Sequence, residues 1–523
     1  MKARMLTACL LAASQGLWAQ SATPVEGHDA HHQQPPAAAP LGKVGAMPRE
    51  KRKQGATPAY ARQWRDAMAL GDQGDAAEAD RALAQAMAHP EFGALSAAEQ
   101  RATWSRAAWM GVRLGDHDRA RRWASRAVDA GSDDPDDLYL LAQLDVRDDA
   151  HAAAAGRIRD LAVRWPHTLR HLDTGFVLRV ARQAPQDAPV RLQLMEALLA
   201  ADWDGNGLGT GDLWYQLALV YQARGDAAGI RRAVDRTTSP EALVKFRVDR
   251  RFDALLDRGA ATLDIAAAAN RRVERLRALA AERPRSLETR VELGSALLET
   301  GQHAEVVALA NATLAALSAD SPAFDDPDQT VWILNHRAIA QRRLGKLYDA
   351  QADLFRGAMM SESGERNVSQ ALNLGQFFCQ RGRPDEARFA ISDVGSMSGY
   401  GRMVQASIEH CIALQQGDAP AARRALAYLR EHRADAQEIW IWALVEADRM
   451  QDAADALIAA LADPAIRGDM LAAIQEYREP APLPAFASAQ ARWRTLLART
   501  DVLAAVAHVG RIERQPIFAS SGI

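Results

Sequence analysis

Cysteine is almost missing from this chain: there are three in 523 residues, and since Cys9 lies near the start, the body holds only Cys379 and Cys411. A disulfide-built scaffold is thereby excluded, and no Cys-x-x-Cys pair offers a redox or zinc site. Aromatics are scarce at 6%, and of 63 basic residues only six are lysine, a skew that reads as codon bias and carries no functional weight. Charge of one sign is also lacking. The 63 Lys+Arg against 66 Asp+Glu leave a formal net charge of -3, so there is no strongly basic face of the kind nucleic-acid binding needs. Beyond the first twenty residues, no stretch approaches the ~18 apolar residues that span a bilayer. What is present, 48% hydrophobic and 25% charged residues with abundant alanine, describes a folded, near-neutral, helix-rich protein rather than a disordered, collagenous or multi-span one.

Motifs that carry chemistry are also lacking. The sequence has no phosphate loop ending in Lys-Ser/Thr, no His-Glu-x-x-His and no Gly-x-Ser-x-Gly. The Gly-rich run at Gly205, Gly207, Gly209 and Gly211 has no strand before it and no dinucleotide-binding unit around it. The expectation is a protein that is not an enzyme and carries no cofactor. His167, His171, His336 and His410 share no ligand spacing.

The first nineteen residues read as a signal peptide. Lys2 and Arg4 give a positive start, Met5 to Ser14 an apolar core, and Ala19 a small residue before the cut, although Leu17 departs from the small-x-small rule. A lipoprotein box at Leu6 to Cys9 would leave too short an apolar core. The expected location is therefore exported and periplasmic. Residues 20–57, rich in Pro, Ala, Gln and His, read as a disordered tether. Within it His28, His31 and His32 form a cluster that could weakly catch copper or zinc, and Arg49 to Lys53 form a brief basic run.

From residue 58 onward an internal repeat dominates. Its clearest unit is Trp214-x2-Leu217-Ala218-x2-Tyr221-x3-Gly225-Asp226, where Leu217 and Tyr221 share a helix face, Ala218 admits a second helix and Gly225 ends the first. Turn glycines recur at 74, 115, 225, 301, 345, 382 and 417, separated by 41, 110, 76, 44, 37 and 35 residues, with Asp149 standing in for one. The pattern resembles the tetratricopeptide repeat, loosened by insertions, and is similar to exported bacterial members of that family. The resemblance implies an all-α fold, an α-solenoid of stacked helix-turn-helix repeats with a C-terminal helical cap. Expected boundaries are N-terminal repeats over 58–200, an irregular linker region with one repeat over 201–265, C-terminal repeats over 266–465, and a cap and tail over 466–523. Pro480, Pro482 and Pro484 open the cap, and Gln515 to Phe518 are expected to lie back on the last helices.

A stacked array implies binding along a concave wall. By their phase relative to the turn glycines, Trp64, Trp109, Tyr215, Asn335, Arg342, Gln376 and Gln380 are placed on that wall as partner-binding residues. The Lys/Asn set with which chaperone adaptors of the family hold a terminal carboxylate has no match. Cys379 and Cys411 fall on successive first helices, which family geometry sets side by side; a disulfide and two free thiols both remain open. The loop Asp202 to Thr210 resembles the front of an EF-hand, with Asp202, Asp204, Asn206 and Thr210 as metal candidates. Leu213 stands where the bidentate Glu belongs, and a polar turn is the competing reading. Two functions follow: a non-catalytic periplasmic scaffold that binds other proteins of the cell envelope, or an accessory glycan- or metal-binding protein for calcium or copper.

Overall fold

The structure, a computed structural model, describes residues 56–73, 75–186, 188–317, 324–362 and 365–519. The expected leader, most of the tether and the His28 to His32 cluster lie outside the described residues. The chain forms two compact units, described over residues 56–206 and 207–519.

The first unit runs α1 (Pro58–Gln73), α2 (Ala76–Ala88), α3 (Ala97–Arg113), α4 (His117–Asp129), α5 (Pro135–Arg147), α6 (His151–Arg164), α7 (Thr174–Gln183) and α8 (Pro189–Ala200). Successive helices pack as antiparallel pairs whose contact faces are lined by alanine. Ala108, Ala120 and Ala124 meet Leu140, Leu141 and Leu144 in one core, and small side chains let the backbones approach closely. Polar groups inside it are satisfied locally. Asp137 accepts from Ser105 and Ser132, both at 2.6 Å, and Asp145 holds Arg121 at 2.5 Å and Arg157 at 2.6 Å.

The second unit contains α9 (Leu213–Arg224), α10 (Ala227–Asp235), α11 (Pro240–Val248), α12 (Ile265–Glu282), α13 (Leu287–Thr300), α14 (His303–Leu317), α15 (Thr330–Arg343), α16 (Leu347–Ala358), α17 (Val368–Gln380), α18 (Pro384–Ala390), α19 (Gly399–Gln416), α20 (Ala419–Glu431), α21 (Gln437–Glu446) and α22 (Met450–Ala462). A two-residue hairpin, β1 (Ser361–Glu362) with β2 (Glu365–Arg366), links α16 to α17. The end of the chain adds α23 (Arg467–Ala473), β3 (Glu476–Arg478), α24 (Ala487–Leu497), α25 (Thr500–Val509) and β4 (Arg514–Phe518).

One device makes the pairs in both units. The residue after each turn donates its N–H to a carbonyl five residues back: Asp116 to Gly111, Ala150 to Asp145, Asp226 to Tyr221, Gln302 to Leu297, Lys346 to Gln341, Arg383 to Phe378, Asp418 to Ala413 and Arg449 to Leu444, all at 2.8–3.0 Å. This closure satisfies the last carbonyls of the first helix and requires a left-handed residue at the turn. Gly115, Gly225, Gly301, Gly345, Gly382 and Gly417 supply it with φ between 69° and 84°, and Asp149 and Asp448 do so at 55° and 57°. Asp116, Asp226 and Asp418 then cap the second helix through their carboxylates. The fold is an all-α solenoid of stacked helix-turn-helix repeats. Helices α24 and α25 cap it by packing on α21 and α22, with Trp493 5.8 Å and Phe486 4.9 Å from Trp442 between ring centroids.

The tail departs from expectation. It does not lie on the last helices: β4 pairs parallel with β3 and packs on α12 and α13, about two hundred residues earlier in the chain. Phe518 sits between Arg343 and Arg478, at 4.7 and 4.6 Å from its ring, and is 5.0 Å from the His303 ring. It lies directly over Gly301, where a Cβ would stand 2.7 Å from the ring. The second unit therefore closes on itself, with α23 against α11.

Candidate functional site

In the second unit the first helices of successive pairs, α15, α17, α19 and α21, form an inner layer. Asn373 on α17 donates to Asn335 on α15 at 3.0 Å, fixing the register of the two helices. Both asparagines are fully buried, and each keeps one amide atom without a partner among the described residues. Both amide atoms of Gln370 and of Gln380 are likewise unpartnered, as is the indole N–H of Trp442. Gln376, Gln380, Ser407, Trp442 and Glu446, with Val404, Ile439 and Phe486, line a small cleft of about 20 Å³, room for a single water. Buried polar atoms are almost always bonded, to protein or to ordered water, and these open ones cluster on neighbouring helices of the inner layer.

Cys379 and Cys411 are joined as a disulfide in the wall of this cleft, with Cα atoms 6.5 Å apart. Gln415 bonds the Cys379 carbonyl at 2.7 Å, tying α19 to the end of α17 a second time. Glu446 lies 3.7 Å from His410.

The expected partner-binding residues fare unevenly. Gln376 alone of the inner-layer set is half-exposed at the cleft. Asn335, Arg342 and Gln380 stand on the inner layer but are buried. Tyr215 is 1% exposed, with its hydroxyl on Asp249 at 3.1 Å and its ring against Phe246 and Phe252. Trp64 is buried and donates to Thr103 at 2.8 Å, while Trp109 is half-buried between two alanine-rich cores of the first unit. Tyr215 and Trp64 are thus packing residues, not partner anchors. Phase along a helix assigns a face but not what packs on it, as Phe246, Phe252 and Asp249 do on Tyr215.

Charged groups join distant elements inside this unit. Lys245 on α11, 4% exposed, meets Asp469 on α23 at 2.5 Å, with Asp212 at 3.8 Å and Glu241 at 3.9 Å. Burial would lower its ammonium, but the three carboxylates outweigh burial and raise it. Arg272 is bonded to Glu292 at 2.7 Å and Glu299 at 3.1 Å. Burial pushes Glu299 up to about 7 against that pairing, and Glu438 up to about 8. Tyr477 on β3 is half-buried with its hydroxyl enclosed, and burial, then Glu241 and Glu299, raise that hydroxyl. His336 is driven down to about 4 by burial, then by Arg272 and Arg343.

In the Asp202 loop, Asn206 is engaged in a turn. Its amide N–H donates to the Leu172 carbonyl at 2.8 Å, and its oxygen accepts from the Trp203 indole at 3.3 Å. Asp202 and Asn206 carry positive φ of 62° and 55°. Thr210, in the other unit, is buried and accepts through its carbonyl from Leu213. Among the described residues no group of three or more His, Cys, Asp or Glu is placed to hold a metal, and no helix is long and apolar enough to cross a membrane.

Sequence reasoning missed Gln370, Asn373, Trp442, Arg343 and the Lys245–Asp469 pair. Lys245 did leave a signal, as one of six lysines and a lone charge inside the apolar run Leu243-Val244-Lys245-Phe246.

No family model and no curated protein matches the chain. Similar solved structures include a monomeric mutant of IFIT1 with Gppp-AAAA, at TM-score 0.32 and 12% identity, covering 84% of this chain and 90% of that one. The APC/C hetero-tetramer Cut9-Hcn1 scores 0.30 at 12% identity over 86% and 85%, and Naa15/Naa10 bound to HypK-THB 0.25 at 13% over 76% and 68%. Likeness at this level adds nothing to the helix-pair geometry on which the fold rests.

Proposed function

We propose that the chain is an exported, periplasmic, non-catalytic scaffold that binds a segment of another cell-envelope protein on the inner layer α15–α21. The observation that carries this reading is the row of buried side chains with open polar atoms on that layer, from Asn335 and Asn373 to Gln380 and Trp442, beside the half-exposed Gln376. An amide such as Gln380 offers one donor face and one acceptor, which complements the main chain of an extended segment. Export is supported by the charged start and apolar core of the first nineteen residues. The Cys379–Cys411 bridge suits an oxidising compartment.

The test is affinity capture from envelope extract with residues 20–523, in parallel with Gln376→Arg, which blocks the cleft mouth, and Tyr348→Ala. Tyr348 is 80% exposed on α16, away from the cleft. A partner lost with Gln376→Arg and kept with Tyr348→Ala is the expected result. The opposite pattern moves the interface to the outer helices and overturns the assignment.

A further inference from the structure

Segments far apart in the chain meet around a cleft of about 470 Å³ in the second unit, whose walls include Arg247, Arg258, Asp264, Arg514, Gln515 and Pro516. Arg247 comes from the end of α11, Asp264 from the residue that caps α12, and the last three from β4. Arg258 sits in a turn closed by the Ala260 N–H on the Asp257 carbonyl at 3.0 Å. The volume admits a small molecule, where the cleft beside Gln376 admits one water.

Two of these arginines already share a carboxylate. Arg247 donates through Nε to one oxygen of Glu513 at 2.7 Å, and Arg258 through Nη2 to the other at 2.5 Å. Arg247 also donates through Nη1 to the Arg258 carbonyl at 3.0 Å, so the two guanidinium groups are fixed to each other and to the tail. Arg247 Nη2 and Arg258 Nε and Nη1 take no partner among the described residues. Arg514 is 90% exposed and meets an exposed Glu476 at 3.3 Å, a pair that water screens. Three arginines against the carboxylates of Glu513 and Asp264 leave one positive charge at the cleft. Acceptors stand beside these donors. One oxygen of Asp264 takes the Ala267 N–H at 3.0 Å and the other takes no hydrogen bond among the described residues. Gln515, buried, donates its amide N–H group to Gln475 at 3.3 Å, and its amide oxygen is likewise open.

We propose that this cleft binds one sugar acid, with the carboxylate on Arg247, Arg258 and Arg514 and the hydroxyl groups on Asp264 and Gln515. One positive charge in excess matches a monoanion, and planar guanidinium edges match the two oxygens of a carboxylate. The open oxygens of Asp264 and Gln515 need donors, which a bare carboxylate lacks and a polyhydroxylated one supplies. A free acid and a residue of an acidic glycan share this chemistry. The cleft lies on α11, α12 and β4, away from the layer α15–α21, and does not depend on the scaffold reading. A ligand there also joins the tail to the helices on which it returns.

The test is calorimetric titration of the full chain with glucuronate, beside glucose, acetate and inorganic phosphate at equal ionic strength. Glucuronate is expected to bind saturably, with acetate and glucose each at least about tenfold weaker because each lacks part of the contacts. Arg258→Gln weakens glucuronate about tenfold, and Arg514→Ala, an exposed change, about threefold. At ten times its dissociation constant glucuronate also slows trypsin cleavage after Arg511 about tenfold, since it binds only the closed tail. Should Arg258→Gln lower Tm, Arg514→Ala decides. No saturable heat, acetate or phosphate bound as tightly as glucuronate, or glucuronate affinity unchanged in both variants overturns the proposal and leaves the scaffold reading standing. A uronate tetramer that displaces glucuronate puts the acid on a glycan; one that does not makes it a free acid.

Discussion

The two units are built from the same helix pair but close their polar interiors differently. In 56–206 the buried acids Asp137 and Asp145 are satisfied by side chains nearby in sequence, Asp137 by Ser105 and Ser132 at separations of 32 and 5 residues. In 207–519 such local pairs recur, as in Arg272 with Glu299 and Arg337 with Asp353, and long-range pairs are added to them: Arg247 with Glu513 across 266 residues, and Arg258 with the same carboxylate across 255. Gly510 lies so close to the Val248 carbonyl that a Cβ there would stand 2.6 Å from it. A chain of neighbour contacts can open pair by pair, whereas a closed array must break its return contacts together. The same repeat therefore yields an incremental unit and a cooperative one.

The largest effect that would break this contrast comes from Lys245→Ala. It strands Asp469, which is 3% exposed, beside Asp212 and Glu241, and removing one partner of a buried pair costs about 3–5 kcal/mol. Hydrogen exchange read peptide by peptide should show protection falling across the whole of 207–519 and unchanged in 56–206. The matching change in the first unit, Asp145→Ala, releases two half-exposed arginines and should loosen only α4 to α6, by about 1 kcal/mol. Equal spread in both units would remove the distinction.

A smaller effect isolates the tail. Phe518→Ala empties the slot between Arg343, Arg478 and His303 and should cost about 3 kcal/mol. Trypsin should then cut after Arg511 and Arg514 well before any site in α13 to α22. If cleavage within α13 to α22 begins at the same time, the tail is not a separate step of opening.

The helix pairs were legible in the sequence because each is specified locally. A small residue, a turn glycine and a capping aspartate within a dozen positions determine one closure, and Asp149 could be recognised as a substitute from its place alone. The return of the tail was not legible. Its contacts, such as Arg478 on the Thr300 carbonyl across 178 residues, involve ordinary Arg, Glu and Phe with no local pattern. Asn335, Arg342 and Gln380 were assigned to the right layer, but their burial depends on packing between helices that phase alone does not show. Tyr215 was misassigned because Asp249 and Arg251, which engage its hydroxyl, belong to an irregular segment outside the repeat.

The finest difference between the units lies in their response to pH. Glu438, on the inner layer, has its carboxyl pushed up to about 8 by burial and then by Asp469, while its value in an unfolded chain is the ordinary 4.5. Between those values the folded state holds a proton that the unfolded state has released. Stability of 207–519 should therefore fall as pH rises through that window, by up to about 1.4 kcal/mol per pH unit from this group. Glu438→Gln keeps the side chain's size and removes the titration, so the slope between about pH 5 and 7.5 should flatten by that amount. In the first unit Asp136 is raised to about 7 by burial, then by Asp134 and Asp137, and its own slope should persist in the Glu438→Gln chain. Exchange rates followed across pH in both units separate the two. If Glu438→Gln leaves the slope of 207–519 unaltered, Glu438 is ionised in the folded chain, and the interior of the closed array holds one more negative charge that a neighbouring cation must already balance.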